Sequence, residues 1–395
     1  LLSPTARRLK DELAAALPKS QWHSYQPASQ DAVRAGSRAA LGDDFHSLLD
    51  FQKARVIVAL DADPIGKDVG GIRHARHFAD QRRLPEGGPE ATMNRLYAVE
   101  PAWTVTGSSA DHRLRAKPSD IGPLTLLLAQ ELGAALPEAV VAALPKQKAG
   151  TPKQQKFIAA VAKDLLANKG QAVVTVGASQ PAAVHAVVHA INAAIGAVGS
   201  TVRYARMADA GRPLDSESLK QLADDLAAGK VDTLVVLGGN PAYDAPSDFG
   251  LAEKIKKAGF VVHLGTYQDE TAALASLHLP RAHFLEAWGD ATAPDGTLSV
   301  VQPMIAPLHN GWSEIELLGR LVTGKAQKGY ELVRETWKKA QAGAGQPHAQ
   351  HKAEQKPAGD KPETKTDAKP EAKTDAAKAA APAAGAAVAA GAAAP

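Results

Sequence analysis

Four short apolar runs interrupt an otherwise mixed chain of 395 residues: Val56-Ile57-Val58-Ala59-Leu60, Val173-Val174-Thr175-Val176, Leu234-Val235-Val236-Leu237 and Val261-Val262-His263-Leu264. Each is rich in β-branched residues and is followed by Asp or Gly. Hydrophobicity that is continuous rather than alternating predicts strands buried on both faces of a parallel sheet. Residues 95–99 (RLYAV) form a less marked strand candidate. Between the runs, apolar residues recur at helical spacing over about 71–83, 153–169, 180–196, 214–228 and 249–258. The alternation predicts an α/β protein with layered, mostly parallel sheets and flanking helices.

Punctuation residues sharpen the element ends. Ser179, just before Gln180 and Pro181, reads as an N-cap followed by a first-turn proline. Asp215 or Ser216 starts the next helix and Gly229 stops it; Gly170 stops the helix ending near Asn168. A Pro-, Lys- and Gly-rich stretch at 145–153 divides the chain into an α/β domain over 1–145 and a second over 150–340. The chain opens at Leu1, and Ser3-Pro4-Thr5 leads directly into a helical pattern, so a truncated N-terminus is expected. From Gln341 to Pro395 there is no aromatic residue, Leu, Ile or Met, and a near-duplicate octet (KPETKTDA, KPEAKTDA) precedes an Ala-rich run. Such a segment buries too little apolar surface to offset roughly 1–2 kcal/mol of backbone ordering per residue. It reads as a disordered linker over 341–395, with truncation expected at this end too.

Composition narrows the function classes. Hydrophobic residues make up 45% and charged residues 22% of the chain, ordinary for a globular protein, while aromatics at 5% leave the core to Ala, Val, Leu and Ile. A net charge of +3, dispersed along the chain, argues against a nucleic-acid surface. There is no cysteine, which excludes a cysteine-ligated iron–sulfur cluster, a thiolate nucleophile or a disulfide within these residues. No run approaches the ~20 apolar residues of a membrane-spanning helix.

Candidate chemistry is sparse. Neither a G-x-G-x-x-G fingerprint nor a complete P-loop is present: Asp61 stands where a P-loop needs the glycine preceding Gly66-Lys67. Two strand-end turns, 177–181 (GASQP) and 238–241 (GGNP), could offer backbone N–H groups to an anion or serve only as tight turns. His185 and His189 share a helix face at the i, i+4 spacing of a zinc site, but Ala186 replaces the glutamate of H-E-x-x-H and no third ligand is near, so packing is the simpler role. His74 and His77 with Arg73 and Arg76 read as a solvated basic face. Asp61, Asp63, Asp269 and Glu270 sit where carboxylates act as general acids or, more simply, cap helices. No catalytic set and no metal site is complete.

Several strings together resemble the molybdopterin oxidoreductases: 180–196 (QPAAVHAVVHAINAAIG) with 198–202, 237–241 (LGGNP), and 269–274 through Leu279-Pro280. Within that superfamily, 58–63 (VALDAD), 93–100 (MNRLYAVE), 110–114 (ADHRL), 283–290 (HFLEAWGD) and 295–303 (DGTLSVVQP) are similar to the molybdopterin-like region of the large iron–sulfur subunit of alternative complex III. The resemblance covers about residues 58–303.

It implies a non-catalytic structural domain of a membrane-attached complex that oxidises quinol and passes electrons to a cytochrome c or an oxidase. Iron–sulfur clusters are then expected downstream of this segment, with the molybdopterin cofactor lost. The implied partners are cytochrome c-type and quinol-binding membrane subunits, and the implied location is the periplasmic face of the bacterial inner membrane. Positions matching pterin or nucleotide contacts are Arg113, Pro118, Ser119, Asp120, Gly239 and Asn240, as a vestigial pocket. Residues 117–120 (KPSD) depart from the Arg-Pro-Gly-Thr-Asp run of active enzymes. The alternative is a fragment of an active molybdopterin-dependent oxidoreductase with its metal ligand outside these residues.

Overall fold

The computed structural model describes residues 3–83, 93–144 and 150–343. Helices α1 (Pro4–Ala16) and α2 (Asp31–Leu41) open the chain, followed by strands β1 (Phe45–Leu49) and β2 (Val56–Leu60). Helix α3 (Gly71–Asp80), β3 (Arg95–Glu100), the short α4 (Val105–Ser109) and β4 (His112–Arg115) come next. Helices α5 (Pro118–Glu131), α6 (Glu138–Ala142) and α7 (Pro152–Ala167) precede β5 (Ala172–Val176), α8 (Ala182–Ala194) and β6 (Val202–Arg206). Then follow α9 (Asp215–Ala227), β7 (Thr233–Leu237), α10 (Pro241–Asp244), α11 (Leu251–Ile255), β8 (Phe260–Gly265), α12 (Glu270–Leu274) and β9 (Leu277–Pro280). A hairpin of β10 (Gly289–Thr292) and β11 (Leu298–Val301) and helices α13 (Glu314–Thr323) and α14 (Gly329–Gly343) complete the described part.

Among the described residues the strands form two parallel sheets, ordered β4-β3-β2-β5 and β7-β8-β9, and two antiparallel pairs, β1-β6 and β10-β11. The expected α/β class, with parallel sheets and flanking helices, is what the chain adopts. All five β2 residues are buried, as a strand covered on both faces requires. The 95–99 candidate is equally real: β3 pairs with β2 in register, Val58 against Tyr97. β7 is only half-buried, because it is the terminal strand of its sheet.

The division expected at 145–150 does not separate two cores. β5 pairs with β2, Val58 opposite Val174, and both belong to one apolar cluster with Ile121, Leu124, Ile158 and Ile191. Strand pairing outweighs the local Pro/Lys/Gly composition. Residues 341–343 of the expected linker close α14; the rest of it, 344–395, lies outside the described residues.

Caps follow the expected chemistry with two exceptions. Ser3 accepts from Ala6 N–H to open α1, and Gly170 and Gly229 adopt positive φ (77° and 67°) after α7 and α9. Ser179, however, does not cap α8, which begins at Ala182; its hydroxyl is taken by Asp61 across the sheet. The start of α9 is capped from elsewhere in the chain, the Asp31 carboxylate accepting the backbone N–H groups of Asp215 (2.7 Å) and Ser216 (2.9 Å).

The outer edge of β5 is closed by a side chain. Asn192 of α8 accepts from Val174 N–H at 3.0 Å and donates to Val174 C=O at 2.8 Å, mimicking a further strand. Asn192→Leu leaves two buried backbone groups without partners, each costing about 1–3 kcal/mol. Urea unfolding is expected to show a loss of about 2–3 kcal/mol; a change under ~0.5 kcal/mol would mean that this edge is otherwise satisfied.

Candidate functional site

Open parallel sheets bind ligands beyond the C-terminal strand ends, where the strand order reverses. In the order β4-β3-β2-β5 that point lies between β2 and β5. The loops flanking it are 61–63 and 177–181. Asp61 has φ +51°, the left-handed region, and its carboxylate accepts from Ser179 Oγ (3.0 Å) and Gln180 Nε2 (2.7 Å). A Cβ at Gly177 would lie 1.8 Å from the Asp61 carbonyl oxygen, so glycine is required for this approach.

Asp63 points inward and is 5% exposed. It accepts from Thr106 Oγ1 (2.7 Å), Thr106 N–H (2.9 Å) and Lys67 N–H (3.2 Å). Burial opposes its charge, but these donors outweigh burial and hold its carboxyl below the usual carboxylate range. Neighbouring Asp68 is pushed up, first by burial, although it accepts from Asp63 N–H. At the end of β3, buried Glu100 takes Arg113 Nε and Thr104 Oγ1, each at 2.6 Å. The carboxylates along this edge are thus already bonded to the chain's own donors. They tie the loops of this edge together.

The second sheet ends differently. Gly238 and Gly239 have φ of 79° and 77°, and a Cβ at Gly238 would lie 2.5 Å from Arg281 Nη1. Arg281 in turn pairs with Glu314. Asn240 accepts from Thr271 Oγ1 (2.7 Å) and N–H (3.1 Å) and donates to Glu270 (2.6 Å), tying the turn to α12. Asp269 caps α12 by accepting from Ala272 N–H at 2.9 Å, the simpler of its two expected roles. Fully buried His263 faces the Gly239 carbonyl through Nε2 (3.1 Å) and His278 Nδ1 through Nδ1 (3.2 Å). The carbonyl can only accept, so Nε2 of His263 donates to it. Beside this end, a cavity of about 850 Å³ runs along β7.

The six residues matched to pterin or nucleotide contacts fall into two groups, Pro118 being the first residue of α5. Arg113 stacks on Trp103 (4.3 Å) while bonded to Glu100. Asp120 closes the first turn of α5 by accepting from Lys117 N–H and also takes Gln154 Nε2, both at 3.2 Å; Ser119 beside it is exposed. Gly239 and Asn240 lie at the end of the other parallel sheet, and among the described residues no hydrogen bond or ion pair links the groups. Arg113, Asp120 and Asn240 are thus each bonded within the chain.

Among the histidines, His185 is buried where α8 meets α2: a Cβ at Gly36 would lie 2.4 Å from its Cβ. His189 is 2.9 Å from the Tyr204 hydroxyl. Both pack, as the simpler reading held. His74 does not belong to a solvated face; it is buried against Phe51, ring centroids 4.8 Å apart. Glu100, Thr106, His263 and Arg281 were not singled out from the sequence. Glu100 could have been, since it follows an apolar run as Asp61 does; the other three are brought in by pairing between distant segments.

No family model matches the sequence, and no curated protein matches it. Among solved structures, acetylene hydratase from Pelobacter acetylenicus, a molybdopterin enzyme, is similar with a TM-score of 0.54 at 14% identity, over 81% of this chain and 54% of that one. The formyltransferase/hydrolase complex (FhcABCD) from Methylorubrum extorquens in complex with methylofuran matches with a TM-score of 0.47 at 16% identity, over 85% of this chain and 90% of that one. The chain thus spans about half the length of the acetylene hydratase chain, and what it shares with that molybdopterin enzyme is the fold.

Proposed function

We propose that this chain is a non-catalytic structural region of molybdopterin-oxidoreductase type, from the large iron–sulfur subunit of a quinol-oxidising complex of the alternative complex III kind. The observation that carries the non-catalytic reading is the closed switch point. There Asp61 takes Ser179 and Gln180, and Asp63 is saturated by Thr106 and Lys67. The more specific assignment is supported by the strings at 58–63, 93–100, 110–114, 283–290 and 295–303. In this reading the parallel sheets are a rigid frame. It packs against a cluster-bearing portion and against cytochrome c-type and quinol-binding subunits at the periplasmic face of the inner membrane.

The test is to tag the chain in its native cell, purify it from detergent-solubilised membranes, and measure metals, oxidised pterin fluorescence and haem. Iron and c-type haem are expected to co-purify with quinol:cytochrome c reductase activity, without stoichiometric molybdenum, tungsten or pterin. One molybdenum and its pterin per chain would overturn the non-catalytic reading. Recovery free of haem and membrane subunits would overturn the placement in a respiratory complex.

A further inference from the structure

Both faces of β7 are covered, but its outer edge is not. Leu234 packs with the α9–α11 cluster, and Leu237 packs against the cluster that contains Leu318. Phe260 N–H donates to Asp232 C=O, and Gly238 N–H to Leu264 C=O, so even-numbered residues of this strand bond to β8. In a parallel ladder the alternate residues face the other way. The backbone N–H and C=O groups of Thr233, Val235 and Leu237 therefore point into the cavity. None of them is engaged by another described residue. The edge of β5, by contrast, is satisfied by Asn192.

The cavity walls suit side chains leaving a strand in alternate directions. Leu13, Leu17 and Trp22 line one part and Leu219 and Leu222 another, and residues 20–25, irregular in structure, contribute to the wall. Its charged residues are four carboxylates (Asp225, Asp232, Asp244 and Glu314) against two lysines, Lys19 and Lys230. Lys230 is already paired with Asp225 and Glu314 with Arg281, whereas Asp232 and Asp244 have no ion pair among the described residues. Asp244 also has a buried Oδ1 without a hydrogen-bond partner. An unpaired strand edge calls for a peptide backbone, and the surplus of carboxylate calls for a cation.

We propose that the β7 groove binds an extended peptide of a partner protein, which adds as a further strand beside Thr233–Leu237, apolar at alternate positions and carrying a basic residue that reaches Asp244. Main-chain pairing would supply affinity and the apolar walls selectivity, as in other strand-addition sites.

The test uses the full chain and a fluorescein-labelled hexapeptide pool with Val, Leu or Ile at alternate positions, Thr or Ser between, and Lys at one end. Fluorescence anisotropy should show saturable binding that disappears when the alternate peptide amides are N-methylated. Asp244→Asn is expected to weaken the lysine pool by about tenfold and a pool with Gln in place of Lys by far less. No saturable binding, or binding indifferent to N-methylation, would overturn strand addition. Equal loss for the two pools would overturn the role of Asp244.

Discussion

Asp44→Ala is expected to destabilise the folded chain by about 3–5 kcal/mol in chemical denaturation, because it strands a buried guanidinium. Asp44 is fully buried, and its carboxylate accepts from Arg34 Nη2 (2.6 Å), Arg38 Nε (2.7 Å) and Nη2 (2.9 Å), and Gly211 N–H (3.0 Å). Arg34 is itself 2% exposed; beyond Asp44 it has the Asp209 carbonyl (3.1 Å) and a longer contact with the Asp209 carboxylate (3.4 Å). Arg38 donates to the Arg212 carbonyl (2.6 Å). One carboxylate therefore joins α2 to the loop before α9, segments about 170 positions apart. Removing both buried charges, as in Arg34→Met with Asp44→Leu, should cost clearly less than Asp44→Ala, because the ion left without its carboxylate is then Arg38, which is one-third exposed and keeps the Arg212 carbonyl. Equal losses for the two variants would show that the network stabilises by packing alone.

Acidification from pH 7 to about 4.5 is expected to lower stability by roughly 2 kcal/mol for each of His185 and His189, if the two acted independently. Burial pushes each imidazole from its ordinary 6.5 down to about 4, and for His185 the neighbouring His189 adds to the shift. Between those values the unfolded chain binds protons that the folded chain does not. Stability is therefore fully present above about pH 6.5, declines as the pH falls towards 4, and declines no further from this source below it. Asp44 acts with the same sign but in a lower window. Burial disfavours the ionised Asp44, but Arg38, Gly211 N–H and Arg34 hold its pKa below the ordinary 3.8, so its contribution persists until the pH falls beneath that value. The two windows are separable. Urea titrations at pH 7, 5.5 and 4.5 should show the slope, and His185→Gln with His189→Phe should flatten it. An unchanged slope in that double variant would assign the acid sensitivity to other groups.

The likeness to acetylene hydratase is one of backbone arrangement, and a shared frame does not carry a shared reaction. In the proposed reading, the difference between a frame and a site lies at single residues. Asp61 stands at a strand end where a ligand-binding loop would begin, yet its carboxylate is occupied by Ser179 and Gln180. Asn240 occupies a strand-end turn, yet it serves as the joint between that turn and α12.

Features set by neighbours in the chain were legible from the sequence. The apolar runs at β2, β5, β7 and β8, the glycine stops at 170 and 229, and the cap at Asp269 depend on burial pattern, positive φ and a side chain reaching three residues ahead. Features set by distant pairing were not. Composition at 145–153 suggested a boundary, but the β2–β5 ladder crosses it; Ser179 looked like a cap, but Asp61 claims its hydroxyl; His74 looked solvated, but Phe51 covers it. Local propensities are worth tenths of a kcal/mol to about one per residue, whereas burying a strand or satisfying a buried carboxylate is worth several, so tertiary contacts decide wherever the two disagree. Which strand edge is sealed, by Asn192 at β5, and which lies open along a cavity, at β7, was a matter for the tertiary structure alone.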